Sequence, residues 1–180
     1  KKVVVVGTES TGKSTLVKKL AKFYNTNYVP EIGRKYCEKY KNMLTPAMFN
    51  SIAMEHFLEQ EKAVEQSNKL LFIDSEAIIT EYYLEAYAKK EGFIFDGSFL
   101  SSIIQLQKYD LILYLEPDVK WVDDGFRFLG DEDERRKNNE YLKWLFAHFG
   151  FQYNIVSGSY SERFNQSIEL VNSITKGGLV

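Results

Sequence analysis

The eight residues Gly7-Thr8-Glu9-Ser10-Thr11-Gly12-Lys13-Ser14 constrain this chain more than any other stretch. They satisfy G-x-x-x-x-G-K-[ST] at each fixed position, a pattern that acts between a strand and a helix. Both flanks are present. Lys2 to Val6, four valines after a lysine, reads as a strand, and Leu16, Leu20 and Phe23 recur at helical spacing. The glycines let successive backbone N–H groups converge on phosphate oxygens. A helix opening at Lys13 adds the positive end of its dipole. Gly7, Ser10, Thr11 and Gly12 are therefore expected to cradle the phosphates of a nucleoside triphosphate. Lys13 is expected to reach the β- and γ-phosphates, Ser14 to ligate Mg²⁺ and Thr15 to lie near the α-phosphate.

The rest of the chain alternates strands and helices, which predicts an α/β fold: a five-stranded parallel sheet with helices on both faces. Strands are expected at 2–6, 27–30, 70–74, 110–115 and 153–156. Leu70 to Asp74 is apolar until its last residue and should be central. Thr45-Pro46 reads as an N-cap and first helical position, opening a helix with Phe49, Ala53 and Phe57 on one face. Ser159-x-x-Glu162 reads as a capping box for a last helix showing Phe164, Ile168 and Val171. Residues 131–149 read as helical and 121–130 as a loop. A single domain over 1–180 is expected, with a lid or substrate loop near 118–137. No repeat or linker interrupts it, and the last residues read as a frayed tail.

Such a sheet places its ligands at the carboxyl ends of the strands, where the other candidate groups also fall. Asp74 ends the third strand, where an aspartate holds Mg²⁺ directly or through water, or else caps the next helix. Glu76 faces either the same site or solvent. Glu31, after the second strand, suits accepting a proton from an attacking hydroxyl. Arg34 suits holding that carboxylate or a substrate oxygen, unless the two form a surface ion pair. Trp121-Val122-Asp123-Asp124-Gly125-Phe126-Arg127 suits a flat, cationic, sugar-bearing ligand: an indole face attracts a cation, and carboxylates accept from ribose hydroxyls. It suits equally a core tryptophan beside a solvated turn. Arg127 is placed to stabilise a transferred phosphoryl group. Arg135 and Arg136 follow acids at helical spacing, as surface pairs or as part of a lid. His56 and His148 stand alone on aromatic helices and read as structural.

Several classes drop out. The net charge of −2 gives no basic footprint for nucleic acid. A lone Cys37 permits no intrachain disulfide and suits a reducing, cytoplasmic setting. The chain begins on its first strand without a signal peptide, which fits either a domain of a longer protein or a compact enzyme. No apolar run reaches the roughly 20 residues of a membrane span. A GTPase would show D-x-x-G after the third strand and N-K-x-D; neither is present. An AAA-type ATPase would be larger and carry adjacent Asp-Glu, which Asp74-Ser75-Glu76 breaks. A small-molecule kinase fits better.

The chain resembles the ribosylnicotinamide kinase domain of the bifunctional NadR-type NAD-synthesis and regulatory proteins, from Val3 to about Ile174. The residues carrying the resemblance are the GTESTGKS loop, Glu31-Ile32-Gly33-Arg34, Phe72-Ile73-Asp74, Trp121-Val122-Asp123-Asp124-Gly125-x-Arg127 and Tyr160-x-x-Arg163-x-Asn165-Gln166. It implies a nucleoside-kinase-like P-loop NTPase fold. It also implies ATP with Mg²⁺ as cofactors and transfer to the ribose 5′-hydroxyl of nicotinamide riboside, giving nicotinamide mononucleotide and ADP. Trp121, Asp123 and Asp124 would then meet the substrate together with Glu31, Arg34 and Asp74. Arg127, with Arg135 or Arg136, would close over the γ-phosphate. Adenine would lie near Ser157 to Tyr160. Either Glu31 or Asp74 would be the base, and related nucleoside kinases favour Glu31. Some family members carry an upstream adenylyltransferase domain and a DNA-binding segment; neither lies in this chain, and their activities are not carried over. A kinase for another nucleoside and an ATP-binding sensing module remain as alternatives.

Overall fold

The computed structural model describes residues 1–120 and 132–175. Its elements run β1 (Lys2–Val6), α1 (Lys13–Phe23), β2 (Tyr28–Val29), α2 (Ile32–Tyr40), α3 (Pro46–Glu65), β3 (Leu71–Asp74), α4 (Ala77–Glu91), α5 (Ser98–Leu106), β4 (Leu111–Leu115), α6 (Glu132–His148), β5 (Asn154–Val156) and α7 (Tyr160–Thr175). The strands form one parallel sheet in the order β2-β3-β1-β4-β5. The expected fold class is what forms. β1 lies at the centre, so the loop after it emerges where the chain turns to opposite sides of the sheet.

Alternation along the strands divides the core into two layers. Val4, Val6, Leu71, Ile73, Ile112 and Tyr114 face the layer shared with α3, α4, α5 and α6. Val3, Val5, Phe72, Leu111, Leu113 and Leu115 face the layer shared with α1 and α7. β1, β3 and β4 are buried on both faces, which explains their unbroken apolar runs.

Three helical faces differ from expectation. On α1, Phe23 is exposed and meets Phe164 edge to face, while Leu16, Val17, Leu20 and Ala21 are buried. On α3 the buried stripe is Phe49, Ile52, Ala53, His56 and Gln60, with Phe57 at its margin. Pro46 opens α3 as expected, but Thr45 makes no side-chain cap. On α7 the buried stripe is Arg163, Ser167, Val171 and Thr175, leaving Phe164 and Ile168 at its edge. The capping box forms as read: the Ser159 N–H donates to Glu162 at 2.8 Å, and the Glu162 N–H to the Ser159 hydroxyl at 3.3 Å. Among the described residues, no helix is long and apolar enough to cross a membrane.

Candidate active site

The loop between β1 and α1 is held by contacts its own sequence does not announce. Gly7 has φ +145°, and a Cβ there would lie 2.7 Å from the Leu115 carbonyl oxygen. Only glycine lets the loop leave β1 so close to β4. Gly12 has φ +86° and lies beneath the ring of Tyr160, 2.6 Å from where a Cβ would stand. The Lys13 ammonium donates to the Gly7 and Thr8 carbonyls at 3.0 and 2.9 Å. The Thr11 hydroxyl also donates to the Thr8 carbonyl, at 2.9 Å.

A second brace comes from the far end of the chain. Arg163 is 1% exposed, with Phe164 and Ile168 displaced to make room for it on the buried face of α7. Its guanidinium donates to the carbonyls of Thr11 at 2.7 Å, Glu116 at 2.8 Å and Gly158 at 2.8 Å, and pairs with Asp118. One buried charge thus ties the phosphate loop to the ends of β4 and β5. A buried cation is stable only when saturated in this way. Gln166 holds Ser157 by both backbone groups, at 3.2 and 2.9 Å. Arg163 and Gln166 carried the family resemblance but were not read as site residues. The available signal was a charge on a helical face continued by Ser167 and Val171.

Arg135 is buried. It donates to the Val119 carbonyl at 2.9 Å and reaches the Ser10 carbonyl of the loop at 3.5 Å. Arg136 lies on the surface, paired with Asp133 at 3.4 Å, so the structure does not bring it to the loop. Of the segment 118–137, Trp121, Asp123, Asp124 and Arg127 lie outside the described residues.

Opposite Lys13 and Ser14 stands Asp74, 2% exposed. Burial, then the charge of Glu31, pushes its carboxyl up to about 6, against Lys13, the Ser14 hydroxyl and Arg34, which pull the other way. Its Oδ1 has no hydrogen-bond partner. Asp74 does not cap α4. That role falls to Glu76, whose side chain accepts from the N–H groups of Ile78 at 2.9 Å and Ile79 at 3.3 Å. The division of labour leaves Asp74 available to the site. Ser75 between them adopts φ +68°, a left-handed conformation costly for a side chain with a Cβ. It turns one acid toward the loop and the other toward the helix.

Glu31 occupies the N-cap position of α2 but makes no side-chain cap. With Ile32, Gly33 and Arg34 it lines a cavity of about 260 Å³ that begins at the phosphate loop. The cavity continues between α3 and α4, past Phe49, Ile52 and His56 on one side and Ile79, Thr80, Tyr83 and Tyr87 on the other. The Tyr83 hydroxyl donates to Glu9 of the loop at 3.3 Å. Sequence reasoning missed this inner wall, and it read His56 as merely structural. His148 stacks on Trp144 along α6 and does not line the cavity.

An orphaned, buried carboxylate oxygen on Asp74, whose carboxyl also meets the Ser14 hydroxyl of the loop, fits a divalent cation. Among the described residues no group of three His, Cys, Asp or Glu forms a metal cage. That donor set suits Mg²⁺, which takes one or two protein ligands and completes its shell with water and phosphate.

Comparison with known proteins follows the same lines. The chain is 30% identical over 177 residues to the Trifunctional NAD biosynthesis/regulator protein NadR of Salmonella typhimurium; the match covers 96% of this chain and 42% of that protein. The chain thus spans less than half the length of that relative, whose name counts three functions where the sequence resemblance was drawn to bifunctional members. A solved structure of NadR protein in complex with NR superposes with a TM-score of 0.79 at 28% identity, over 98% of this chain and 52% of that one. Thymidylate kinase from Ehrlichia chaffeensis shares the fold, with a TM-score of 0.66 at 13% identity over 94% of this chain and 97% of that one. The family model that matches is described as an AAA domain. On that match, which spans residues 2–163, the chain belongs to the AAA domain family.

Proposed function

We propose that this chain is an ATP-dependent kinase that phosphorylates the 5′-hydroxyl of nicotinamide riboside, giving nicotinamide mononucleotide and ADP. One observation carries the reading. A buried acid, Asp74, faces Lys13 and Ser14 of the phosphate-binding loop, and a second acid close to it, Glu31, lines the cavity that runs from that loop between α3 and α4. The likeness to NadR in complex with NR names the acceptor that fits. ATP and Mg²⁺ are the cofactors that the loop and the orphaned Asp74 oxygen suit.

The backbone N–H groups of Gly7 to Gly12 and the N-terminus of α1 hold the phosphates. Lys13 leaves the Gly7 and Thr8 carbonyls to take the β- and γ-oxygens. Ser14 and Asp74 would hold Mg²⁺, which when bound neutralises charge on the phosphate oxygens. Ser10, Thr15 and Arg135 are assigned to the triphosphate, Ser157 and Tyr160 to the adenine end of the nucleotide, and Arg127 to the transferred group. Glu31, free of capping duty, orients the 5′-hydroxyl and accepts its proton as the new O–P bond forms. The bond from γ-phosphorus to the bridging oxygen breaks, and ADP departs with that electron pair. Arg34, Trp121, Asp123 and Asp124 are assigned to the riboside.

The reading is tested by following ADP release with ATP and Mg²⁺, offering nicotinamide riboside, uridine, cytidine, thymidine or no acceptor. Turnover confined to nicotinamide riboside is expected. Turnover with a neutral nucleoside instead would move the acceptor to another class. ATP binding without any turnover would make the chain a sensing module.

A further inference from the structure

Glu9 is an awkward residue for the place it occupies. It is the third residue of a loop that is to receive phosphates, and a carboxylate aimed at their oxygens would repel them. The structure shows where it goes instead. The Tyr83 hydroxyl of α4 donates to Glu9 Oε1 at 3.3 Å. Both residues are half-buried, and both line the cavity between α3 and α4. On either side of Tyr83, Tyr82 and Leu84 are 3% and 1% exposed and belong to the core, so Tyr83 is the member of this turn that faces the cavity. The charge of Glu9 is felt along that wall. Burial, and then Glu9, push the hydroxyls of Tyr82 and Tyr83 well above the usual tyrosine range.

The other braces on this loop hold main-chain carbonyls. Arg163 of α7 takes that of Thr11 at 2.7 Å, and Arg135 of α6 reaches that of Ser10 at 3.5 Å. Lys13 is committed to those of Gly7 and Thr8. The contact from Tyr83 is of another kind, because it holds a charge. A riboside brings hydroxyl donors, and nicotinamide riboside also brings a positive ring. Either gives the Glu9 carboxylate a partner on the acceptor side. A carboxylate engaged there keeps its charge off the phosphates. Phosphates in the loop in turn favour the conformer in which Glu9 faces the cavity.

We propose that Tyr83 is a positioning residue that aims Glu9 out of the phosphate loop and into the acceptor cavity, so that nucleotide and acceptor bind cooperatively. The cooperative half rests on nicotinamide riboside as acceptor; the aim of Glu9 does not.

The test is a cycle of variants read on the nucleotide. A non-hydrolysable ATP analogue with Mg²⁺ is titrated by calorimetry into the parent, Tyr83→Phe, Glu9→Gln and the double variant, each with and without saturating nicotinamide riboside. ADP release with ATP is measured in parallel, and melting curves report that each variant is folded. In the parent the riboside is expected to tighten analogue binding about fivefold or more. Tyr83→Phe keeps the ring and drops the donor. It should weaken the analogue about threefold by itself and bring the riboside's effect below about twofold. Glu9→Gln removes the charge and should bind the analogue at least as tightly as the parent. Tyr83→Phe added to Glu9→Gln should leave analogue binding unchanged, because no charge is left to aim. A hydroxyl that served packing alone would cost the same in both backgrounds, and that result overturns the proposal. Weaker analogue binding in Glu9→Gln, or equal analogue affinity in the parent with and without bound riboside, also overturns it. Cooperative binding without phosphoryl transfer sustains it and sinks the kinase reading instead. A riboside that does not bind overturns that reading and the cooperative half together, while the nucleotide cycle still sustains or sinks the aim of Glu9.

Discussion

The two halves of the site are built on opposite principles. The phosphate side is braced from several directions: Lys13 against its own loop, Gly7 against β4, and Arg163 from the last helix. Its carbonyls at Gly7, Thr8 and Thr11 are engaged by Lys13, by the Thr11 hydroxyl and by Arg163. The acceptor side is walled by apolar faces of α3 and α4 and keeps polar atoms in reserve on Ser75, His56 and Glu76. A triphosphate is the same for every enzyme of this kind, so its cradle gains from a backbone fixed in shape by braces such as Arg163. An acceptor is particular, and its pocket must hold unspent hydrogen bonds. The contrast teaches where stability and selectivity reside: the first in contacts already made, the second in contacts withheld.

The comparison breaks most sharply at the junction. Lys13→Ala or Asp74→Asn should lower kcat by about 100-fold or more, the scale on which preorganised charge acts in a transition state. Asp74→Asn alone should also raise the Mg²⁺ concentration needed for half-maximal rate. A retained Mg²⁺ requirement with unaltered midpoint would remove Asp74 from the metal site.

Next comes the brace. Arg163→Ala strands the carbonyls of Thr11, Glu116 and Gly158, and should cost on the order of 3 kcal/mol. In a domain of this size that is a fall in Tm of roughly 5–10 °C. Nucleotide affinity should fall with it while the acceptor KM changes little. A variant with unaltered melting and nucleotide binding would show that the loop holds its shape unaided. On the acceptor side the expectation reverses: Phe49→Ala should raise the acceptor KM, leave the nucleotide KM unchanged, and cost about 3 kcal/mol through the cavity it opens.

The smallest effect is a matter of pH. Glu76 has a folded pKa of about 8 against an ordinary 4.5. Between those values the folded chain binds more protons than the unfolded one, so this group removes stability as pH rises. His56, held at about 4 against 6.5, has the opposite sign and removes stability as pH falls through that window. Glu76→Gln keeps the cap on α4 without the charge. Its Tm should match the parent near pH 4.5 and exceed it by a few degrees at pH 8. A constant offset between the two melting curves across that range would mean that Glu76 does not titrate in the fold.

What could be read from the chain follows the same divide. Gly7 to Ser14 is a continuous stretch whose chemistry and geometry are both local, and Asp74 and Glu31 end apolar strands in a sheet whose topology the alternating pattern implies. The capping box at Ser159 and Glu162 is local too. The inner cavity wall was not legible, because Phe49 and Tyr87 come from helices nearly forty residues apart and meet only after packing. His56 looked structural because a lone histidine on an apolar face carries no mark of the cavity it lines. The face of α7 was displaced because periodicity counts apolar residues, whereas the buried position there belongs to an arginine satisfied by carbonyls.

That arginine has an evolutionary corollary. Apart from Asp118, Arg163 engages its partners only through main-chain oxygens, on Thr11, Glu116 and Gly158. Every residue type supplies such an oxygen, so the identity of the Glu116 side chain can drift without disturbing the contact. No other residue presents a planar fork of donors that reaches three carbonyls at once. Among relatives of this chain, the clamp should therefore hold the position of Arg163 fixed while making no demand of its own on the side chains of Thr11 and Glu116.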